Sequence, residues 1–192
     1  MKKILITGGN GFVGLNLINY LKNIHPSYYI ISLDKQPCKY NQQIIKLANK
    51  NIQGDINNRK FIFDLFAKEQ FDIVINCANE SNICEKSKDK SVFIITNIIG
   101  TQTLLDASKE FGVKRYHQVS TKEVEIELGS HLSPVYILSR KAADLLVIAY
   151  EKEYGLRATI SRYDDSLDGL EGYLKNIDQM INKEYRIVNV GH

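Results

Sequence analysis

Cysteine is scarce. The 192 residues hold only Cys38, Cys77 and Cys84, and no two of them stand in a C-x-x-C spacing. That points away from both a disulfide framework and a zinc site; Cys77 and Cys84, which flank a predicted strand end, are expected to be plain buried thiols. The four histidines (His25, His117, His131 and His192) are dispersed and read as surface or packing residues, so no metal site is expected. Runs of like charge are missing too. Lys and Arg number 25 against 22 Asp and Glu, and the lysines are scattered among acids. A net charge of +3 spread in this way has no electrostatic footprint for nucleic acid. No apolar stretch reaches membrane-spanning length and no signal peptide precedes the first predicted strand, so a soluble, cytoplasmic protein is expected. The length fits one domain (1–192) with a real core, and a hydrophobic content of 44% with 24% charged residues is ordinary for a globular chain.

What is present is concentrated in the first fourteen residues. An apolar run, Ile4-Leu5-Ile6, meets a glycine cluster at Gly8, Gly11 and Gly14, and helical periodicity follows through Leu15, Leu17, Ile18 and Leu21. That order predicts strand, tight turn, helix. The glycines let the main chain approach a ligand, and the amides at the helix start then face a pyrophosphate, aided by the helix dipole. Asp34 follows twenty residues after Gly14, at the end of a second strand-like run over Tyr28 to Leu33. This is the spacing at which a carboxylate reaches adenosine ribose hydroxyls, so a dinucleotide site is predicted.

Strand and helix signals alternate along the rest of the chain. A short helix is predicted over 42–49, a strand end over 52–55, a helix over 59–69 and a buried strand over 72–76. A long helix follows over 91–111, closed by Gly112, then a strand over 114–119. A helix over 134–154 ends at Gly155; a strand over 156–161, a helix over 172–183 and a last strand over 185–190 complete the series. Such alternation with continuous apolar strands predicts an α/β fold, a doubly wound parallel sheet of Rossmann type. The stretches 92–99 and 142–150 are apolar nearly all round, so two buried faces are expected, and a homodimer through helices 91–111 and 134–154 is favoured over dense internal packing.

Longer stretches carry a resemblance: Thr7 to Gly14, Leu33 to Lys35, Gly54 to Ile56, Asn76 to Ser81, Thr96 to Thr101, Val119 to Val124, Tyr136 to Asp144 and Tyr154 to Leu156. In these the chain resembles the extended short-chain dehydrogenase/reductase family, in its nucleotide-sugar epimerase/dehydratase branch. The resemblance implies NAD as cofactor, contacted by Gly8, Gly11, Phe12, Val13, Gly14, Asp34, Lys35, Asp55, Ile56, Ala78 and Tyr136. The Asp34 carboxylate would repel a 2′-phosphate, which favours NAD over NADP. Asp55 and Asn97 are equally open to a ligand contact or a purely structural role, Asn97 as a brace between strand and helix. Ser81 falls on the substrate side, and a nucleotide sugar is the implied partner.

The resemblance also implies a catalytic set of Ser/Thr, Tyr and a Lys four residues after the Tyr, one turn along a helix face. Thr121 and Tyr136 stand in place, but the fourth residue on is Arg140, and Lys141 lies about 100° further around the helix. Arg140 keeps the charge in a larger planar fork, and either Arg140 or Lys141 could support the tyrosine. Dehydratases of the family carry Asp-Glu after the threonine, where this chain has Lys122-Glu123. Glu123 remains a candidate base, Lys122 is a poor acid, and a solvated pair is the competing reading. Only fourteen residues separate Thr121 from Tyr136, Cys84-Glu85 replaces an Asp-Arg pair, and most of the family's C-terminal substrate domain has no counterpart, with 163–192 a remnant of it. The expectation is a protein that binds NAD and exchanges hydride with a nucleotide sugar or smaller carbonyl compound without full 4,6-dehydration. The alternative is a non-catalytic NAD-binding module or partner subunit.

Overall fold

A computed structural model describes residues 1–37, 46–80, 89–125, 133–163 and 169–182. Among the described residues six strands form one sheet: β1 (Lys3–Thr7), β2 (Tyr29–Asp34), β3 (Lys50–Gln53), β4 (Ile73–Asn76), β5 (Arg115–Thr121) and β6 (Ala158–Tyr163). All neighbours pair in parallel, in the order β3-β2-β1-β4-β5-β6. The central strands are buried on both faces, which is why they read as continuous apolar runs.

Side chains alternate between two helical layers. Ile4, Ile6, Ile30 and Ile75 face α1 (Phe12–Ile24) and α5 (Gly169–Asn182), joining Leu17, Ile18, Leu174 and Ile177. Leu5, Ile31, Leu33 and Val74 face the other way, onto α2 (Arg59–Glu69), α3 (91–110) and α4 (Pro134–Tyr154), where Phe66, Leu104, Leu105 and Val147 complete the core. α2 and α4 have the bounds the sequence predicts because their ends are chemically marked. The Asn58 side chain accepts from the Phe61 amide at 3.0 Å, and α4 opens on Pro134 and closes at a left-handed Gly155.

Two expectations are corrected. The helix predicted over 42–49 has no helical turn in its described part, 46–49. There the Asn49 amide donates to the Ile30 carbonyl, and the Asn49 side chain accepts from the Ile30 amide, each at 2.9 Å, drawing the chain along the sheet edge. The helix over 91–111 is not uniform. It runs as α-helix over Ser91–Phe93, widens to a π-helix over Ile94–Gly100 and returns to α-helix over Thr101–Glu110. On α3 and α4 the apolar outer face is left open by the described residues of the chain. Ile94, Ile95 and Ile99 on α3 and Leu138 and Leu145 on α4 are 40–58% exposed. The predicted strand over 185–190 lies outside the described residues, as do Ser81, Cys38, Cys84, His131 and His192. The stretch 169–182, assigned from sequence to a substrate-side remnant, forms α5 against α1, β5 and β6.

Polar groups tie the sheet across its middle. Thr7 Oγ1 donates to the Asn76 side-chain Oδ1 at 2.6 Å, and Asn76 Nδ2 donates to Gln118 Oε1 at 3.1 Å and Thr101 Oγ1 at 3.2 Å. These bonds satisfy groups that would otherwise be costly in the core. Among the described residues no helix is long and apolar enough to cross a membrane, and no group of His, Cys, Asp and Glu is placed to hold a metal ion.

His117 makes the fold sensitive to acid. It is fully buried on β5, with its ring nitrogens 2.8 Å from the Thr159 hydroxyl and 2.9 Å from that of Ser161. Burial holds its pKa down to about 3, against 6.5 for the free side chain. The unfolded chain therefore binds a proton that the folded one refuses. Stability from this group is complete above about pH 6.5 and falls as pH drops toward 3, by about 1.4 kcal/mol per pH unit. Urea unfolding at pH 7 and 4.5 should show His117→Gln losing about 2 kcal/mol less between the two pH values than the parent.

Candidate functional site

The sheet order turns back between β1 and β4, and a groove opens at the carboxyl ends of these strands, where open α/β sheets bind ligands. Its floor depends on two glycines. Gly8 leaves β1 with φ of +66°, and a Cβ there would stand 2.7 Å from the Ala78 amide nitrogen and the Cys77 carbonyl. A Cβ on Gly14, inside the first turn of α1, would stand 2.3 Å from the Gly8 carbonyl oxygen. The helix therefore starts almost in contact with the strand that feeds it. No side chain caps this start, whose N-cap is Gly11, and no acid lies in its first turn. The first-turn amides of α1 are left to face an anion in the groove.

One half of the groove, about 340 Å³, is lined by Asp34, Lys35, Asp55, Ile56 and Ala78 together with Gly8 and Gly11. The Asp34 carboxylate is anchored on both oxygens, accepting from the Asn10 amide at 2.9 Å and the Gln36 amide at 2.8 Å. Each oxygen retains a lone pair for a hydroxyl group. Across from it the Lys35 ammonium pairs with Asp55 at 3.0 Å. Partial burial raises the Asp55 pKa, but hydrogen bonds from the Asn57 amide and from Lys35 outweigh it and hold the carboxyl below its ordinary value.

The other half, about 270 Å³, gathers Thr121, Tyr136 and Arg140 beside Phe12, Val13 and Gly14. The two halves share Gly8, Gly11, Cys77 and Asn79. Tyr136 is buried, packs edge-on against Phe93 and accepts a long hydrogen bond, 3.4 Å, from the Asn79 side-chain Nδ2. Arg140 is 2% exposed and donates through Nη2 to the Val119 carbonyl; its Nε and Nη1 meet no partner among the described residues. One turn further along α4, Asp144 accepts from Ser120 at 2.9 Å and Arg162 at 3.4 Å. Burial raises the Asp144 pKa, against the opposing charge of Arg140. Burial also pushes the Cys77 thiol up to about 12, so it carries no thiolate at neutral pH.

Lys141 is exposed on α4 and does not line the cleft, so of the two candidate cations only Arg140 reaches Tyr136's side of the groove. Glu123 sits on the 3₁₀ turn Lys122–Glu125, outside that lining, with a buried Oε2 that has no partner among the described residues. Asn97 braces as the sequence suggests, though between a loop and a helix. It accepts from the Glu80 amide at 2.9 Å and donates to the Ser139 hydroxyl at 2.9 Å. Asn79, at the junction of both halves, was not singled out from sequence, because its reach to Tyr136 is a tertiary contact with no local signature.

The model of the NAD dependent epimerase/dehydratase family matches residues 4–166. The chain is 31% identical to the dTDP-glucose 4,6-dehydratase of Haemophilus influenzae over 95% of its own length and 61% of that protein's. Against the dTDP-D-glucose 4,6-dehydratase of Homo sapiens it is 33% identical, over 84% of this chain and 50% of that one. Among solved structures, dTDP-glucose 4,6-dehydratase from Bacillus anthracis in complex with NAD matches the whole chain with a TM-score of 0.81 at 25% identity, covering 76% of that protein. DesIV, the dTDP-glucose 4,6-dehydratase of Streptomyces venezuelae with NAD and TYD bound, matches 83% of the chain at 31% identity with a TM-score of 0.70, over 55% of its own length. The chain thus spans about 60% of the length of the first curated relatives it matches.

The two groove glycines differ in a way that unfolding can read. At Gly11 a Cβ finds its nearest atom at 3.2 Å, whereas at Gly14 it meets backbone at 2.3 Å. Gly14→Ala should lose about 2 kcal/mol in denaturant unfolding despite alanine's better helix propensity, and Gly11→Ala under about 1 kcal/mol.

Proposed function

Because this chain belongs to the NAD dependent epimerase/dehydratase family, we propose that its groove binds NAD and exchanges hydride with a carbonyl compound, either a nucleotide sugar or a smaller molecule. The observation that carries this reading is the continuity of the groove, from Asp34 past the uncapped start of α1 to Tyr136. The residues present fit the group: backbone approach at Gly8 and Gly14, open amides for a pyrophosphate, and an anchored carboxylate for ribose hydroxyls. In this reading Gly11, Phe12, Val13 and Gly14 hold the pyrophosphate, while Asp34, Lys35, Asp55 and Ile56 surround the adenosine. Bound NAD would supply the hydride acceptor and donor. Thr121 and Tyr136 polarise the substrate oxygen, and the Tyr136 hydroxyl gives or takes its proton. Arg140, one helical turn along the same face, supports the tyrosine in that step.

Full 4,6-dehydration is not part of the proposal. Lys122 stands where the dehydratases have their acid, and Glu123 is not among the residues that line the Tyr136 cleft. A second reading, a non-catalytic NAD-binding module, is favoured by one contact: the Arg140 guanidinium is engaged with the Val119 carbonyl. The exposed apolar residues of α3 and α4 support a homodimer through these two helices in either case.

Calorimetric titration is expected to show NAD binding with NADP weaker, and absence of NAD binding overturns the proposal. Tyr136→Phe should abolish hydride exchange and leave NAD affinity within about twofold. If the parent itself exchanges no hydride with any nucleotide sugar or carbonyl compound, the module reading stands. Efficient conversion of dTDP-glucose to a 4-keto-6-deoxy sugar would refute the view of Lys122. For the dimer, Leu145→Glu should halve the mass measured by light scattering, since it places a charge on the exposed apolar face.

A further inference from the structure

The adenosine half of the groove contains an unusual balance of charge. Its described lining residues include three acids, Asp34, Asp55 and Glu80, and a single cation, Lys35. Asp34 cannot swing away from an approaching anion, because backbone amides hold both of its oxygens. Lys35, the next residue, is the only cationic side chain among the described lining residues that could pair with a second phosphate, and its ammonium is 3.0 Å from Asp55 Oδ2. Asp55 is itself fixed, its other oxygen accepting from the Asn57 amide at 2.9 Å and the Asn57 side chain at 2.8 Å. A rigid carboxylate therefore holds a flexible ammonium.

We propose that the Lys35–Asp55 ion pair is a latch that withholds Lys35 from a phosphate on the adenosine 2′ oxygen, so that the choice of NAD over NADP is made by Asp34 and Asp55 together. The inference rests on the reading of the groove as a dinucleotide site. It assigns Asp55 a role in selectivity that is separate from any contact with the adenine, because an adenine contact would affect both dinucleotides alike. The pair is partly open to water, with side-chain exposures of 60% and 32%. Its influence is accordingly modest and weakens with salt.

The test compares ligands that differ only in the 2′-phosphate, NAD with NADP and 5′-AMP with adenosine 2′,5′-bisphosphate, by calorimetry at low salt. Asp55→Asn should shift the affinity ratio toward the 2′-phosphorylated member of each pair by about threefold to fivefold. The shift should vanish in the double variant Lys35→Ala/Asp55→Asn. An unchanged ratio in Asp55→Asn overturns the latch. A shift that survives loss of Lys35 also overturns it, since simple removal of negative charge would then account for the effect. Failure of the parent to bind NAD sinks the dinucleotide reading, while the two mononucleotides still test the latch in its own half of the groove. Binding of none of the four ligands overturns both.

Discussion

The near contact between the start of α1 and the end of β1 is the constraint on which the rest of the groove depends. With a Gly14 Cβ position only 2.3 Å from the Gly8 carbonyl oxygen, nothing larger than hydrogen fits between strand and helix. That closeness places the uncapped amides over the switch in strand order, and it leaves room for the β4 exit at Cys77 and Ala78 to close the floor. Everything that lines the two clefts is arranged around this junction, which both of them share.

The polar framework beyond the junction serves position more than chemistry. Thr7, Asn76, Gln118 and Thr101 link β1, β4, β5 and α3 in the core, directly below the strand ends that form the groove. Asn97 then ties the Glu80 backbone to Ser139, which lies on the same helix as Tyr136. A buried polar group that is satisfied on several sides specifies one arrangement, because each alternative packing leaves some donor or acceptor unmet. The wide turn of the π-helix fits this picture, since it is the segment that carries Asn97 inward and brings Gly100 against Ile56.

Much of this was legible in the sequence where the cause is local. Asn58, Pro134 and Gly155 mark helix ends by their own chemistry, and the bounds of α2 and α4 follow. One-turn spacing puts Arg140 on the helix face of Tyr136, but the choice between Arg140 and Lys141 stays open in the sequence, and only the structure shows Arg140 in the cleft lining and Lys141 outside it. What the sequence did not disclose has distant causes. The π-helix answers to contacts with Glu80, Ser139 and Ile56, and the stretch 46–49 gives up helix for pairing with Ile30. Nor could periodicity distinguish an apolar helix face covered by the chain's own core from one left open, as on Leu138 and Leu145.

The strand order has a consequence for assembly. β1 is first in the chain, yet it lies in the interior of the sheet with β2 on one side and β4 on the other. Its β2 edge can close within a local β-α-β unit, whereas its β4 edge waits for residues 73–76, some seventy positions later. The seam between the halves of the molecule is therefore the β1–β4 pairing, and the groove lies at the end of that seam. Any ligand that needs both clefts samples only chains in which the late, long-range pairing is complete. Occupancy of the groove would thus act as a clasp across the seam, stabilising the joined halves over the separated ones by mass action.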